Sequence, residues 1–151
     1  MTSNIISEFR VVPDTNIIIA SKKNPSSSSP NVEFIDRWAR GEFLVLYCIE
    51  IIHEYKHKLL QKGVKREIIE EFLEILKECG ELIYLETFHE RFYPDDPKDI
   101  PFILCSVNGK ATHLVTYDPH LLRLKGKYEF EILEVIPFLK LLREKIKNEE
   151  K

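Results

Sequence analysis

The sequence is poor in cysteine and shows no spacing pattern in what it has. Of its 151 residues three are cysteines, Cys48, Cys79 and Cys105, with no CxxC among them. Such spacing suggests neither a disulfide framework nor a thiolate zinc site. The plain expectation is three small buried hydrophobes in a reducing compartment. The opening segment MTSNIISEFR lacks a basic stretch followed by a long apolar one, so no secretory leader is expected. The wholly apolar runs are far too short to cross a bilayer. A strong excess of one charge is also missing. Lys plus Arg is 22 and Asp plus Glu is 25, a net charge of −3. Nucleic acid cannot then be held by bulk charge alone, and a local basic patch would be needed. No internal repeat is visible. The expectation is a cytoplasmic protein without a membrane segment.

Hydrophobic residues make up 44% of the chain, and a chain of this length can bury about two thirds of its unfolded surface. One domain over residues 1–151 is expected, with its core at about 8–147. Arg10-Val11-Val12 reads as a buried strand running into the polar turn Pro13-Asp14-Thr15-Asn16. A helix can begin at Ile17. Residues 22–31, KKNPSSSSPN, form a Ser/Pro-rich loop too short to separate domains. Asn31 can cap a helix to about Arg40, stopped by Gly41. Phe43–Cys48 is a second strand and Ile49–Leu60 a helix broken at Gly63. Val64–Cys79 is a further helix, with Ile68, Phe72, Ile75 and Cys79 on one stripe, and Gly80 stops it. Leu82–Leu85, Thr112–Thr116 and Phe130–Val135 read as strands. A helix opens after the turn at 94–99, another runs from about Pro137 to Lys147, and the tail NEEK frays. Alternating strands and helices argue for an α/β fold with a mainly parallel sheet between helices. Ligands in such sheets bind beyond the carboxyl ends of the strands.

Acids stand at those ends. Asp14 follows VVP and Asp118 follows LVTY, while Asp99 opens a helix and Glu54 lies about one turn into another. Charges at the ends of buried strands need a partner or a ligand. If the four carboxylates converge, a cation must offset their repulsion. Oxygen-only donors suit Mg²⁺ or Mn²⁺ rather than zinc, and such ions can drive attack on a phosphodiester. Taken singly, Asp99 and Asp118 could serve as helix caps and Glu54 as a solvated helix residue. Asn16 could hold the turn or fix the Asp14 carboxylate. Thr15 and Thr116 offer the same choice, with a structural role favoured.

The pieces VVPDTNIIIAS, CIEIIHEYKHKL and DPKDIPFILCSVNGKATHLVTYDPHLL, in this order and at these separations, resemble the PIN domain, and within it the VapC-like toxin ribonucleases. The likeness spans roughly residues 8–140. It implies a three-layer α/β/α fold, Mg²⁺ or Mn²⁺ binding and cleavage of single-stranded RNA. It also implies a homodimer and an antitoxin partner. Carried over by motif, Asp14, Glu54, Asp99 and Asp118 are the catalytic, metal-binding acids, with Asn16 as orienting residue; Thr116, read from its place at the strand end, is a supporting candidate. Asp95 and Asp96 compete with Asp99, which is preferred for its distance from Phe102. His120 stands where many relatives carry another acid, and Tyr117 where relatives often carry Gly.

Two further signals remain. His53-Glu54-Tyr55-Lys56-His57 is a literal HExxH, which could mark a zinc peptidase. Lys56 and Lys58 sit where that motif usually carries uncharged residues, and no third ligand suggests itself. Lys22, Lys23, Lys56, Lys58, Lys62, Lys65 and Arg66 could hold phosphates, although a charge run is more often a solvated face. Tyr47, Tyr117 and His120 could stack on bases. A PIN-like module that binds RNA or protein without cutting is the alternative to the nuclease.

Overall fold

The computed structural model describes residues 8–26 and 28–150. Most of the N-terminal segment read for a leader, and Ser27 of the Ser/Pro-rich loop, fall outside those residues. Five strands carry the fold: β1 (Arg10–Pro13), β2 (Leu44–Tyr47), β3 (Glu81–Leu82), β4 (His113–Val115) and β5 (Glu131–Leu133). Between and after them run α1 (Thr15–Lys23), α2 (Pro30–Ala39), α3 (Ile49–Gln61), α4 (Arg66–Cys79), α5 (Ile100–Asn108), α6 (Pro119–Leu122) and α7 (Val135–Glu149). A 3₁₀ turn, Pro97–Asp99, leads into α5.

All strand pairs are parallel and the sheet order is β3-β2-β1-β4-β5. The chain builds outward from β1 to β3, then returns through α5 to add β4 and β5 on the other side. That reversal leaves a topological switch point between the carboxyl ends of β1 and β4. The register there pairs Pro13 with Val115, so the residues that follow each strand emerge side by side. Helices flank the sheet as a three-layer α/β/α fold. In that packing α1 meets α2 and α3, α2 meets α7, and α3 meets α4 and α5.

The strands are short and nearly all apolar because both faces are covered. Val11, Val12, Leu114 and Ile132 are fully buried. Phe34, Phe43, His113 and Phe138 pack ring against ring, with centroids 4.9–5.5 Å apart. A second aromatic group, Trp38, Tyr55, Phe72 and Phe102, joins α2, α3, α4 and α5. Gly63 closes α3 at φ +83°, a left-handed conformation that a side chain would strain.

Several local expectations are corrected. The stripe that α4 buries is Ile69, Phe72 and Leu76, whereas Ile68 and Cys79 face solvent. Cys79 is therefore not a buried hydrophobe. Ser29, not Asn31, caps α2: its hydroxyl accepts from Asn31 N, and Pro30 takes the first helical position. The helix α1 runs on to Lys23, which shortens the Ser/Pro-rich loop. The third strand keeps only two residues. Of the tail NEEK, Asn148 and Glu149 lie within α7, with a Lys145–Glu149 ion pair, and Lys151 lies outside the described residues. No described helix is long and apolar enough to cross a membrane.

Candidate active site

The β1 strand ends at Pro13, and Asp14 turns out of it to cap α1. The Asp14 amide still belongs to the sheet and donates to Val115 O at 2.8 Å. Its carboxylate belongs to the crevice. One oxygen, Oδ1, accepts from Thr15 N at 2.8 Å, and Oδ2 accepts from the Thr116 hydroxyl at 2.7 Å. The same Thr116 oxygen accepts from Asp118 N at 2.9 Å. One fully buried hydroxyl thus joins the turn after β1 to the turn after β4. Asp118 in turn caps α6, accepting from His120 N at 2.8 Å.

These acids lie close enough to feel one another. Burial raises the Asp14 carboxyl to about 6; the bonds from Thr116 and Thr15 oppose the rise, while the charges of Asp118 and Glu54 add to it. Asp99, at the junction of the 3₁₀ turn and α5, is pushed up to about 8. Burial is the largest cause, and the neighbouring carboxyls of Asp118, Asp14 and Asp96 add to it. Asp14 thus feels the charges of Asp118 and Glu54, and Asp99 those of Asp118 and Asp14, near the carboxyl end of the sheet. Among the described residues no three His, Cys, Asp or Glu side chains stand at metal-binding separations. The donor set nevertheless suits a hard cation. Asp99 Oδ2 is buried with no hydrogen-bond partner, a cost that a native protein rarely carries without use, and carboxylate oxygens are the ligands such ions take.

A family model described as PIN domain matches residues 10–120. The chain belongs to the PIN domain family. The matched span opens on the first residue of β1, ends at His120 and contains all four acids, leaving β5 and α7 outside it. No curated protein matches the chain. In fold it is similar to a chain in the crystal structure of VapBC2 from Rickettsia felis bound to a DNA fragment from their promoter. That likeness has a TM-score of 0.56 at 16% identity, over 83% of this chain and 98% of that one.

The remaining sequence candidates of this PIN domain separate cleanly. Asp95 pairs with Arg123 at 3.1 Å and lies 3.7 Å from His120 Nδ1, while Asp96 caps the 3₁₀ turn through Lys98 N. Neither has the burial that sets Asp99 apart. Asn16 is exposed and its side chain makes no hydrogen bond among the described residues; Thr15 N and Thr116 fix Asp14 instead. Thr15 Oγ1 is buried and unpartnered. Lys22 lies over the Phe72 ring at 5.4 Å, and Lys23 donates to Lys62 O at 2.8 Å. Both sit at the far end of α1, about 12 Å along the helix from Asp14. Lys56 is exposed on α3. Of the stacking candidates, Tyr47 is buried and cannot meet a base, and Tyr117 donates to Asn31 Oδ1 at 2.8 Å.

In HEYKH, both histidines are exposed and no further ligand joins them among the described residues. Glu54 acts electrostatically on Asp14. The residue beside it, Tyr55, is the second position after His53 in the HEYKH run. It is fully buried, and its hydroxyl donates to Pro13 O. That bond pins α3, and so Glu54, to the end of β1. Only the fold reveals it, because 42 residues separate donor from acceptor.

Proposed function

We propose that this PIN domain is a metal-dependent endoribonuclease that hydrolyses phosphodiester bonds of single-stranded RNA. The observation that carries the reading is the buried Asp99 carboxyl oxygen with no partner, near Asp14 and Asp118, whose charges add to the burial that raises the Asp99 carboxyl. Like charges gathered at a switch point favour a cation between them. Asp14 and Asp118 would hold Mg²⁺ or Mn²⁺ most directly, with Asp99 and Glu54 completing the set. Such an ion, when bound, lowers the pKa of a water and offsets charge on the phosphate. Thr116 keeps the Asp14 carboxylate and the Asp118 turn in fixed relation. Tyr55 fixes the approach of Glu54, which with Asp99 orients the attacking water. Lys56 and His120, on the elements that flank the crevice, meet the phosphates on either side. Lys22 and Lys23 have no part, since their contacts turn them toward α3 and α4.

The similarity to a chain of the VapBC2 structure supports reading this protein as the toxin of a toxin–antitoxin pair. It would act in the cytoplasm as a homodimer held in check by an antitoxin. A second reading, a PIN module that binds RNA or protein without cutting, is favoured by the lack of a ready-made metal cage among the described residues and by His120 standing in place of an acid. One experiment separates the two. Unstructured RNA is incubated with the protein and Mg²⁺ or Mn²⁺. The nuclease reading expects cleavage that chelator stops and Asp14→Asn abolishes with the fold intact. Binding without cleavage supports the module, and cleavage that persists in Asp14→Asn refutes the proposed mechanism.

A further inference from the structure

The aromatic side chains divide by place. Of the nine Phe, six Tyr and one Trp, all are buried or half-buried except Tyr84, Phe88, Phe92 and Tyr93, which are exposed at 75, 54, 36 and 39%. All four stand on one strap, residues 83–96, which joins β3 to the 3₁₀ turn without a helix or strand of its own. A connection of that length is uncommon in a compact domain unless it has a use. Side chains hold the strap in place. Asn108, the last residue of α5, accepts from Glu86 N and Thr87 N at 2.9 and 2.8 Å and donates to Thr87 O at 2.8 Å. The Tyr93 hydroxyl donates to Phe88 O at 2.5 Å and accepts from Glu90 N at 2.7 Å, which folds 88–93 into a tight loop. The Tyr128 hydroxyl donates to Phe92 O, and Lys127 lies over the Phe92 ring at 5.1 Å. Asp95 then meets Arg123 and His120, at the α6 turn that Asp118 caps. The strap therefore ends at the rim of the acidic crevice.

We infer that the strap is a stacking track for unpaired bases, along which single-stranded RNA is led to the crevice. The inference takes from the nuclease reading above the identity of the substrate, and adds where the strand lies outside the site. A ring left in water gains little from folding, whereas a nucleic-acid base laid on it gains stacking whatever the base. The strap presents its rings singly: Glu86, Thr87, His89, Glu90 and Arg91 stand between Tyr84 and Phe92 around Phe88. A protein partner would want a continuous apolar centre with charge excluded. Rings set apart by polar side chains suit bases taken one at a time. Cations flank them on the 123–127 side, where Lys125 and Lys127 are exposed, and there they can meet phosphates. Glu86 and Glu90 keep those phosphates off the strap itself. Tyr93 is two residues from Asp95, about 7 Å of extended chain at most. A strand leaving the crevice thus reaches Tyr93 and Phe92 first and Phe88 next, with Tyr84 at the far end. Bases paired within a duplex are stacked on one another and cannot reach these rings, so the strap selects unpaired RNA.

The test uses the full chain and a labelled, unstructured oligoribonucleotide, with chelator present so that nothing is cut. Binding is read by fluorescence anisotropy over a salt series. The single strand should bind, and its duplex severalfold more weakly. Phe88→Ala with Phe92→Ala should weaken binding roughly fivefold or more for each ring lost. The slope of affinity against salt should not change, because no charge is removed. Phe88→Trp with Phe92→Trp should keep the affinity, since an indole stacks as well. Unfolding midpoints of both variants should match the parent, as these rings are exposed. Ultraviolet cross-linking and peptide mapping should place the RNA on the peptide that holds 88–93. No binding by the parent, equal binding of strand and duplex, or an alanine variant that binds as the parent does would overturn the proposal. An alanine variant that alters sedimentation of the free protein and leaves RNA binding alone would make the strap a protein interface instead. With Mg²⁺ or Mn²⁺ added, the alanine variant should raise KM and leave kcat near the parent value. RNA held on the rings but never cut refutes the nuclease reading and leaves the track standing; cleavage at unchanged KM does the reverse.

Discussion

The two ends of the sheet treat charge in opposite ways. At the amino end, Arg10 opens β1 and pairs both guanidinium nitrogens with Glu81 at 3.0 and 3.1 Å. It also caps the Gly109 carbonyl at 2.7 Å, and Thr112 Oγ1 bonds both Arg10 N and Arg10 O. Opposite charges meet there and their polar atoms are satisfied. At the carboxyl end, burial raises the Asp14 and Asp99 carboxyls and the charge of Asp118 adds to it, and Asp99 Oδ2 and Thr15 Oγ1 have no partner. The amino end is arranged for stability. The carboxyl end spends stability on a crevice that a cation would settle. Substitutions at the two ends should therefore have opposite signatures.

The sharpest break in that comparison is Asp14→Asn. RNA cleavage should fall by more than about 100-fold, beyond what loss of a supporting group costs a metal site. Thermal unfolding should not move down, because a repelling charge has gone. A lowered midpoint alongside lost activity would mean that Asp14 serves the fold. The converse is Arg10→Met, which keeps the apolar stem and removes the fork. Denaturant unfolding should show a loss of about 1–2 kcal/mol, a hydrogen-bonded charge discounted for partial exposure, with cleavage per folded molecule unchanged.

A pH series sharpens the contrast. The folded carboxyls of Asp14 and Asp99 stand at about 6 and about 8, above the value of an unfolded aspartate, about 4. Between those limits the folded state binds more protons than the unfolded one. Without divalent metal, stability should then fall as pH rises from about 4 to 8. Asp99→Asn should flatten the slope, as read by unfolding midpoints across that range; an unchanged slope would place the proton uptake elsewhere. The smallest effect is expected for His53→Ala with His57→Ala, which should leave metal content and cleavage alone. Zinc retained on purification and lost in that double variant would revive the peptidase motif.

What the sequence shows of this molecule follows what is local. An apolar run ending in an acid is visible at VVPD and at LVTYD, and strand–helix alternation gives the parallel sheet. Caps are less legible where neighbours compete: SSSSPN offers several oxygens, and Pro30 decides the matter by fitting the first helical position. The α4 face is ambiguous for a different reason. Ile68 and Ile75 repeat at helical spacing, and so do Ile69 and Leu76. The choice between the stripes is made by α3 and the sheet, against which the helix rotates. Long-range bonds are illegible altogether. Nothing near Thr116 announces Asp14, 102 residues away, nor does Lys22 announce Phe72. The DTN turn suggests that Asn16 steadies Asp14, yet the steadying groups come from the next residue and from the neighbouring strand.

On the proposed reading, the acids at the carboxyl end of the sheet share one or two divalent cations. A crystal of the protein soaked in Mn²⁺ and measured at the manganese absorption edge tests it most directly. An anomalous peak is expected between the Asp14 and Asp118 carboxylates, absent from Asp14→Asn. A crevice without a peak at saturating Mn²⁺, or a peak at His53 and His57 instead, would contradict it.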